Sequence, residues 1–367
     1  MRILYYFPEI NTPMYYWQRI HFIDELNRHG CTIDVFNPLL YDNVEIANRK
    51  LIDKIKNESY DLFFTNVCSP LMLYVETLQE IKKIGIPMCS FRSDNLVIPY
   101  HDKELAPLFD LVWLTSLETK PLYDKWGVRS IFLPYAANPY TFKPQYGNNN
   151  KICFIGTPYG SRPRMINILS ENNVKIDIFC LPCKKQICSN INTKYSIRTI
   201  STIQTLYYRL FFSQGRKLLK ATFYDMLRQK VELKKNSYVS FFPKVSPIEL
   251  SDLYSEYSLS LSSTSAGHTD ILKYPLKIIN LRNFEIPMSG GIQICKYNEE
   301  LSSYFEPNKE IIFYNSDEEL VDKARFYTQH ATDKEVLSIK KAARARAEAE
   351  HTWTQRFDKI FKIIGIR

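Results

Sequence analysis

The sequence contains no long hydrophobic run, no dinucleotide-binding fingerprint behind its first strand and no complete set of metal ligands, and each gap removes a class of function. Nothing approaches the roughly 18 consecutive apolar residues of a membrane-spanning helix. The amino terminus, M-R-I-L-Y-Y-F, begins directly as a strand, where an export signal would begin with a charged and then an apolar segment, so the expected address is cytoplasmic. No G-x-G-x-x-G follows that strand, which argues against a nicotinamide or flavin enzyme. Cys68, Cys89, Cys153 and Cys295 are scattered through apolar runs, the pattern of reduced, buried thiols. Only Cys180, Cys183 and Cys188 cluster, and a C-x-x-C with a third cysteine but no fourth ligand at a usual spacing leaves no metal site to expect. No groove-reading or base-stacking module is recognisable, so no nucleic-acid partner is expected.

A chain of 367 residues is long for one domain and suits two of roughly 150 to 200 residues each. Its hydrophobic fraction of 45% and charged fraction of 24% are those of an ordinary soluble protein, while a net charge of +9 implies an anionic partner such as a nucleotide or a phospholipid surface. Strand-like runs at Ile3 to Phe7, Cys31 to Phe36, Leu62 to Val67, Pro87 to Phe91, Leu111 to Leu114 and Ser130 to Leu133 alternate with helical periodicity. The helices are expected over Tyr16 to Asn27, Asn43 to Lys56, Leu71 to Ile84, Lys103 to Phe109 and Leu117 to Trp126. This alternation predicts an α/β fold with a doubly wound parallel sheet, whose ligands lie beyond the carboxyl ends of the strands.

The residues at those ends are the candidates. The loop after the first strand carries Glu9 and runs into Tyr15, Tyr16 and Trp17, longer than a plain connection needs and therefore read as substrate-facing. Asp94 follows the fourth strand and reads either as a base or hydroxyl ligand, or as a turn former binding its own backbone. Pro, Gly and a run of Asn between Asn138 and Asn150 mark the interdomain linker. Beyond it the strand Ile152 to Ile155 ends in Gly156-Thr157-Pro158-Tyr159-Gly160-Ser161-Arg162, whose glycines and arginine suit a phosphate contact.

Residues Ser201 to Lys235 interrupt the alternation and hold eight Lys or Arg against two acids. Arg216, Lys217, Lys220 and Arg228 lie here among aromatic and aliphatic residues, which reads either as a basic amphipathic helix on an anionic membrane or as a helical hairpin with a solvated basic side. Ser246-Pro247-Ile248-Glu249 is a capping box that starts a helix. Asn280 to Gly291, N-L-R-N-F-E-I-P-M-S-G-G, then joins a cation (Arg282), a carboxylate (Glu285) and paired glycines (Gly290, Gly291), a mixture that reads either as a helix amino terminus facing an anion or as a surface ion pair of Arg282 with Glu285 three residues on. Three further capping boxes are expected in the tail: Ser316 with Glu319, Thr332 with Glu335, and Thr352 with Gln355.

At this point the sequence acquires a family likeness. Arg282-Asn283-Phe284-Glu285-Ile286-Pro287 with Gly290-Gly291, then Tyr304-Phe305-Glu306, Glu310, Glu318-Glu319-Leu320 and His351-Thr352-Trp353-Thr354-Gln355-Arg356, resembles the carboxyl-terminal domain of the CgeB-like (spore maturation protein B-like) glycosyltransferases of the GT-B superfamily. The likeness is dense over residues 236 to 361, looser through Gly156 and Arg162, and before residue 130 rests on the order of elements alone. It implies GT-B architecture: two Rossmann-like domains facing across a cleft, residues 1–145 on the acceptor side and 151–350 holding a nucleotide-sugar donor, with a basic helical insertion at about 190–236 and a final helix, 351–367, returning toward the first domain. In this resemblance Lys244 and Val245 flank the nucleotide base, Arg282 and Arg162 contact the diphosphate beside Gly156, Gly290 and Gly291, and Glu285 binds the ribose hydroxyls. No metal and no cofactor is implied, because cationic side chains take the charge of the departing diphosphate. One departure is Lys277, eight residues before Glu285, where many retaining relatives carry a second glutamate; if the reaction inverts, Asp94 or Glu9 is the candidate base. The expected function is sugar transfer to a surface polysaccharide or lipid-linked glycan, on the inner face of the membrane, and the alternatives are a non-catalytic scaffold or a sugar epimerase.

Overall fold

Apolar runs closed by turn residues form every strand, and the computed structural model describes residues 1–9, 13–93, 96, 102–180, 198–228 and 231–366. The first elements are β1 (Arg2–Tyr6), α1 (Pro13–Gln18), α2 (Glu25–Arg28), β2 (Thr32–Phe36), α3 (Val44–Asn57), β3 (Leu62–Thr65), α4 (Val75–Ile84), β4 (Met88–Arg92), β5 (Leu111–Leu114), α5 (Lys120–Lys125) and β6 (Ser130–Phe132). There follow β7 (Ile152–Ile155), α6 (Arg162–Glu171), β8 (Ile176–Phe179), α7 (Arg198–Phe211), α8 (Ser213–Leu227), β9 (Val239–Phe242), α9 (Pro247–Glu256) and β10 (Leu259–Leu261). The chain closes with α10 (Arg282–Met288), β11 (Gln293–Lys296), α11 (Glu299–Tyr304), β12 (Ile312–Tyr314), α12 (Asp317–Arg325), α13 (Asp333–Glu350) and α14 (Trp353–Ile364). Two units result: Met1–Pro134 with Asn190–Arg216 and Trp353–Arg367, and Tyr135–Ser189 with Lys217–Thr352.

The first unit holds a six-stranded parallel sheet in the order β2-β1-β3-β4-β5-β6. Both faces are covered, as an all-parallel sheet requires. Leu4, Tyr6, Phe63, Val112 and Leu114 face one core, packed with Leu51 and Ile55 of α3 and Leu78 and Ile81 of α4. The intervening residues Tyr5, Phe64, Phe91 and Trp113 face the other way, and there Phe22 and the last helix meet them: Phe357 lies 5.3 Å from Phe64 and 5.4 Å from Trp113, centroid to centroid. Strand alternation thus sorts one run of aromatics into two cores. The second unit has its own six-stranded parallel sheet, β12-β11-β10-β7-β8-β9, with a core of Ile152, Phe154, Ile176, Ile178, Leu259, Ile294 and Ile312.

Three expectations from the sequence are corrected. No α-helix spans Lys103 to Phe109; a short 3-10 turn, Ala106–Leu108, stands there, because Pro107 has no N–H and disfavours helical geometry at the residue before it. The helix expected from Leu71 starts only at Val75, since the amides of Met72 and Leu73 turn back to the Ser69 carbonyl. Of the capping boxes in the tail, Thr332 with Glu335 is reciprocal, whereas Ser316 caps α12 while Glu319 reaches the amide of Asn315.

At the start of α14 the wholly buried Glu25 accepts from the amide of Thr354 at 2.7 Å and from its hydroxyl at 2.9 Å. Burial pushes the Glu25 carboxyl up to about 7, against the hydrogen bonds from Thr354 that pull it down. Because the folded state binds this proton more tightly than the unfolded chain, the stability it contributes is complete below about pH 4.5 and is lost as pH rises through about 7. The lost amount is on the order of 3 kcal/mol. Glu25→Gln keeps a carbonyl acceptor without a titrating proton, so the fall in melting temperature between about pH 5 and pH 8 is expected to shrink in the variant; an unchanged difference refutes the assignment.

Candidate functional site

In the second sheet the chain leaves β7 for β8 and β9 on one side and returns as β10 on the other, so the winding reverses between β7 and β10. Loops leaving the carboxyl ends of two such strands bound the place where open α/β sheets take ligands. Here those loops begin at Gly156 and at Ser262.

Gly156 has φ +128°, a conformation side chains rarely adopt, and a Cβ there would stand 3.0 Å from Nη2 of Arg282. The Nε of Arg282 donates to the Tyr254 hydroxyl of α9 at 3.2 Å. Two asparagines fix where α10 begins: Asn280 Oδ1 accepts from the amide of Arg282 at 3.1 Å, and the amide of Asn280 donates to Asn283 Oδ1 at 2.7 Å. The Asn280 side chain also donates to the Ser263 carbonyl at 3.2 Å, tying α10 to the loop after β10. Arg162 approaches from the start of α6, with its guanidinium carbon 4.1 Å from the Tyr159 ring centroid and Nη1 donating to the Thr157 carbonyl at 2.9 Å.

Burial lowers the pKa of Arg162, and the charge of Arg282 lowers it further. Burial also works against the charge on Arg282, but Tyr254 and Glu285 more than offset it and raise its pKa. Among the described residues neither guanidinium stands in ion-pair contact with a carboxylate, although Asp270 lies close enough to Arg162, and Glu285 to Arg282, for the charges to be felt. Two cations fixed near each other suit a multiply charged anion, and the guanidinium fork matches phosphate oxygens. The helix terminus contributes less than the sequence suggests, because α10 has only seven residues. Glu285 is 8% exposed within that helix.

The other candidates are placed as follows. Gly290 and Gly291 are buried, and a Cβ would meet Pro144 at 2.7 Å at the first and the Tyr254 carbonyl at 2.5 Å at the second, so close packing accounts for both. Val245 packs beside Tyr254 and Ile286, while Lys244 is exposed in the loop after β9. In the first unit Glu9 pairs with Arg19, Tyr15 and Tyr16 lie on α1, and Tyr16 is exposed. Trp17 packs edge-on against Phe22 at 5.0 Å and Trp353 at 5.4 Å, which accounts for it by packing. Asp94, Cys183 and Cys188 lie outside the described residues. His268 Nδ1 is 3.5 Å from Asp225 Oδ1. Tyr254, Asn280, Asn283 and Asp270 were not among the sequence candidates; only the N-x-x-N around Arg282 offered a signal.

Comparison with known proteins adds a fold, and a family match over the last part of the chain. Residues 220–362 match the family model described as glycosyl transferase-like. No curated protein sequence matches the chain. Among solved structures, an alpha-glucosyltransferase in complex with UDP and a 13-mer DNA containing an HMU base is 12% identical with a TM-score of 0.61, over 100% of this chain and 99% of that one. HepE from Anabaena in complex with UDP-glucose is 12% identical with a TM-score of 0.57, over 100% and 99%. Sucrose-phosphate synthase from Thermosynechococcus elongatus is 11% identical with a TM-score of 0.54, over 99% and 98%. At such identities the likeness is one of fold, and the fold, two parallel sheets each flanked by helices, is GT-B.

Proposed function

We propose that the protein is a glycosyltransferase of the CgeB-like kind, taking a sugar from a nucleoside diphosphate donor held in the second unit. The observation that carries this reading is the convergence of Arg162 and Arg282, two guanidiniums without an ion-pair carboxylate among the described residues, at the carboxyl ends of β7 and β10, with Arg282 beside Gly156. Transfer breaks the bond between the anomeric carbon and a diphosphate oxygen, and negative charge grows on that oxygen as the bond lengthens. Cations already in place stabilise this developing charge without reorganising, which is where such sites obtain most of their rate. Arg282 and Arg162 hold the leaving diphosphate, Glu285 accepts from the ribose hydroxyls, and the loop at Lys244 and Val245 flanks the base. The match over residues 220–362 supports this activity, and neighbours solved with UDP and UDP-glucose support uridine diphosphate as the carrier.

The guanidinium pair makes a metal unnecessary, so transfer persists in EDTA. The acceptor is a glycan, free or lipid-linked, approached from the first unit, where Asp94 and Glu9 are the candidate bases. Lys277 replaces the carboxylate that many retaining relatives carry, with its ammonium 5.5 Å from the Tyr297 ring centroid.

Incubation with UDP, GDP and ADP and with their glucose derivatives tests the reading, with calorimetry for binding and nucleotide release for turnover. UDP binding together with UDP release from a UDP-sugar is the expected result. Binding without turnover identifies a scaffold, a new sugar nucleotide without free diphosphate identifies an epimerase, and no nucleotide binding at all sinks the proposal.

A further inference from the structure

The loop between β10 and α10 carries a carboxylate, Asp270, that serves neither the diphosphate nor the ribose. Its two limbs are closed by an antiparallel bridge between Ser265 and Lys277, where the amide of Ala266 donates to the Leu276 carbonyl and that of Ile278 to the Thr264 carbonyl, each at 2.8 Å. Inside the closure the buried Thr269 hydroxyl donates to the Ala266 carbonyl at 2.7 Å and accepts from the Leu276 amide at 3.2 Å. The Thr264 hydroxyl donates to the Lys296 carbonyl at 3.2 Å and so fastens the loop to the end of β11. These bonds hold the 3-10 turn Thr269–Ile271 in which Asp270 stands. A carboxylate on a backbone so held loses little further freedom when a ligand arrives.

The turn borders the arginine crevice. A Cβ at Gly160 would stand 3.2 Å from the Gly267 carbonyl, and the Tyr159 and His268 rings lie 6.2 Å apart, so the loops from β7 and β10 touch. Burial raises the Asp270 pKa, and nearby His268, Lys296 and Arg162 pull against it. Asp270 is half-buried, and its Oδ1 is shielded from solvent with no hydrogen-bond partner among the described residues. An acceptor in that position is costly to bury unless a ligand supplies the donor.

We propose that the Asp270 carboxylate accepts hydrogen bonds from hydroxyl groups of the transferred sugar and so selects which nucleoside diphosphate sugar is used. The inference rests on the transferase reading and adds the sugar to it. A carboxylate only accepts, and the diphosphate oxygens, which also only accept, are repelled by it; the donor groups such a ligand offers are on its base, its ribose and its transferred sugar. The base is assigned to Lys244 and Val245 after β9, the ribose to Glu285 and the diphosphate to the crevice between β7 and β10. With the strands in the order β11-β10-β7-β8-β9, whatever continues past that crevice away from the base comes over β10 and β11. There the Asp270 turn is tied. Neutralising Arg162 is the other use open to this carboxylate, yet no ion pair joins the two among the described residues, and Nη1 of Arg162 is spent on the Thr157 carbonyl.

The test uses the full chain, calorimetry with UDP, and UDP release from UDP-glucose, UDP-galactose and UDP-N-acetylglucosamine, followed by deoxy analogues of the preferred donor. Asp270→Asn is expected to lower kcat/KM by roughly tenfold and Asp270→Ala by roughly a hundredfold, the worth of a hydrogen bond to a charged group. UDP affinity is expected to stay the same or tighten, because both variants remove a negative charge beside the diphosphate. In the parent, removing one particular sugar hydroxyl is expected to cost roughly tenfold or more, and in Asp270→Ala the same removal is expected to cost little. An equal deoxygenation penalty in parent and variant overturns the inference alone, and so does a loss that falls on UDP and the UDP-sugar alike, the mark of a carboxylate that only places Arg162. A parent indifferent to every deoxygenation overturns it without any variant. A parent that binds no UDP, or releases none from any of the three sugars, overturns the donor reading and this inference with it.

Discussion

Replacing Arg282 with alanine is expected to lower kcat/KM for sugar transfer by roughly a hundred- to a thousandfold while the melting temperature stays within a few degrees of the parent. The loss falls mainly on kcat, because the positive charge is needed most when the diphosphate oxygen gains its negative charge; UDP affinity weakens as well, by less. Lysine is not expected to restore it. The Nε bond to Tyr254 and the second fork arm beside Gly156 both require a guanidinium, and an ammonium reaches only one of these positions. Gly156→Ala approaches the same loss from the opposite side, since the new methyl would stand 3.0 Å from Nη2 of Arg282 at a φ of +128°. Tyr254→Phe removes only the hydroxyl that aims the guanidinium, and a five- to tenfold loss of roughly 1 kcal/mol is expected there. Arg162→Ala should fall between them, because it leaves Arg282 and its bond to Tyr254 in place. Steady-state kinetics with a UDP-sugar, beside UDP calorimetry, separates these cases, and an Arg282→Ala enzyme with unchanged kcat/KM excludes the site.

The sequence singles out Arg162 because it follows a strand's carboxyl end together with glycines, and Arg282 because it opens a helix beside Glu285 and paired glycines. The two alternating halves were legible as well, because a doubly covered parallel sheet writes itself as short apolar runs between helical periods. What sequence does not encode locally is which contacts fill a surface. Trp17 stands in a stretch that reads as a substrate-facing loop, yet it lies on α1, and Phe22 and Trp353, the second far away in the chain, take up its ring. Tyr254 lies in an ordinary helix and acquires its place only when α9 comes beside α10. Gly290 and Gly291 read as a phosphate turn, and the close approach of Pro144 and the Tyr254 carbonyl explains them without one. On α7 the apolar residues Ile203, Leu206, Leu210 and Phe211 recur at the spacing of one helix face, and that face is the exposed one. Periodicity reveals that a helix has two faces, and only the fold tells which of them is covered.

Lys340→Met is expected to remove about 4 kcal/mol of stability and roughly 10 °C of melting temperature, the largest structural effect foreseen in the second unit. Lys340 belongs to α13 and is wholly buried, and its ammonium donates to three backbone carbonyls: Gly147 and Ser255 at 2.6 Å and Tyr257 at 2.8 Å. Three donors meet three acceptors, so no polar hydrogen is left unused. Burial lowers the Lys340 pKa to about 8, which still leaves it charged at neutral pH. Methionine keeps the unbranched apolar stem, and so most of the packing, while each carbonyl loses its charged donor. Two of those carbonyls belong to the last turn of α9 and the residue that follows it toward β10, and α9 carries the Tyr254 hydroxyl that holds Arg282. The variant should therefore melt early and also bind UDP more weakly at temperatures well below its melt. Adding saturating UDP should recover part of the difference, because a ligand of the folded state stabilises it by mass action. A variant whose melting temperature lies within about 2 °C of the parent would mean that the three carbonyls find other donors, and that the lysine is not what secures the end of α9.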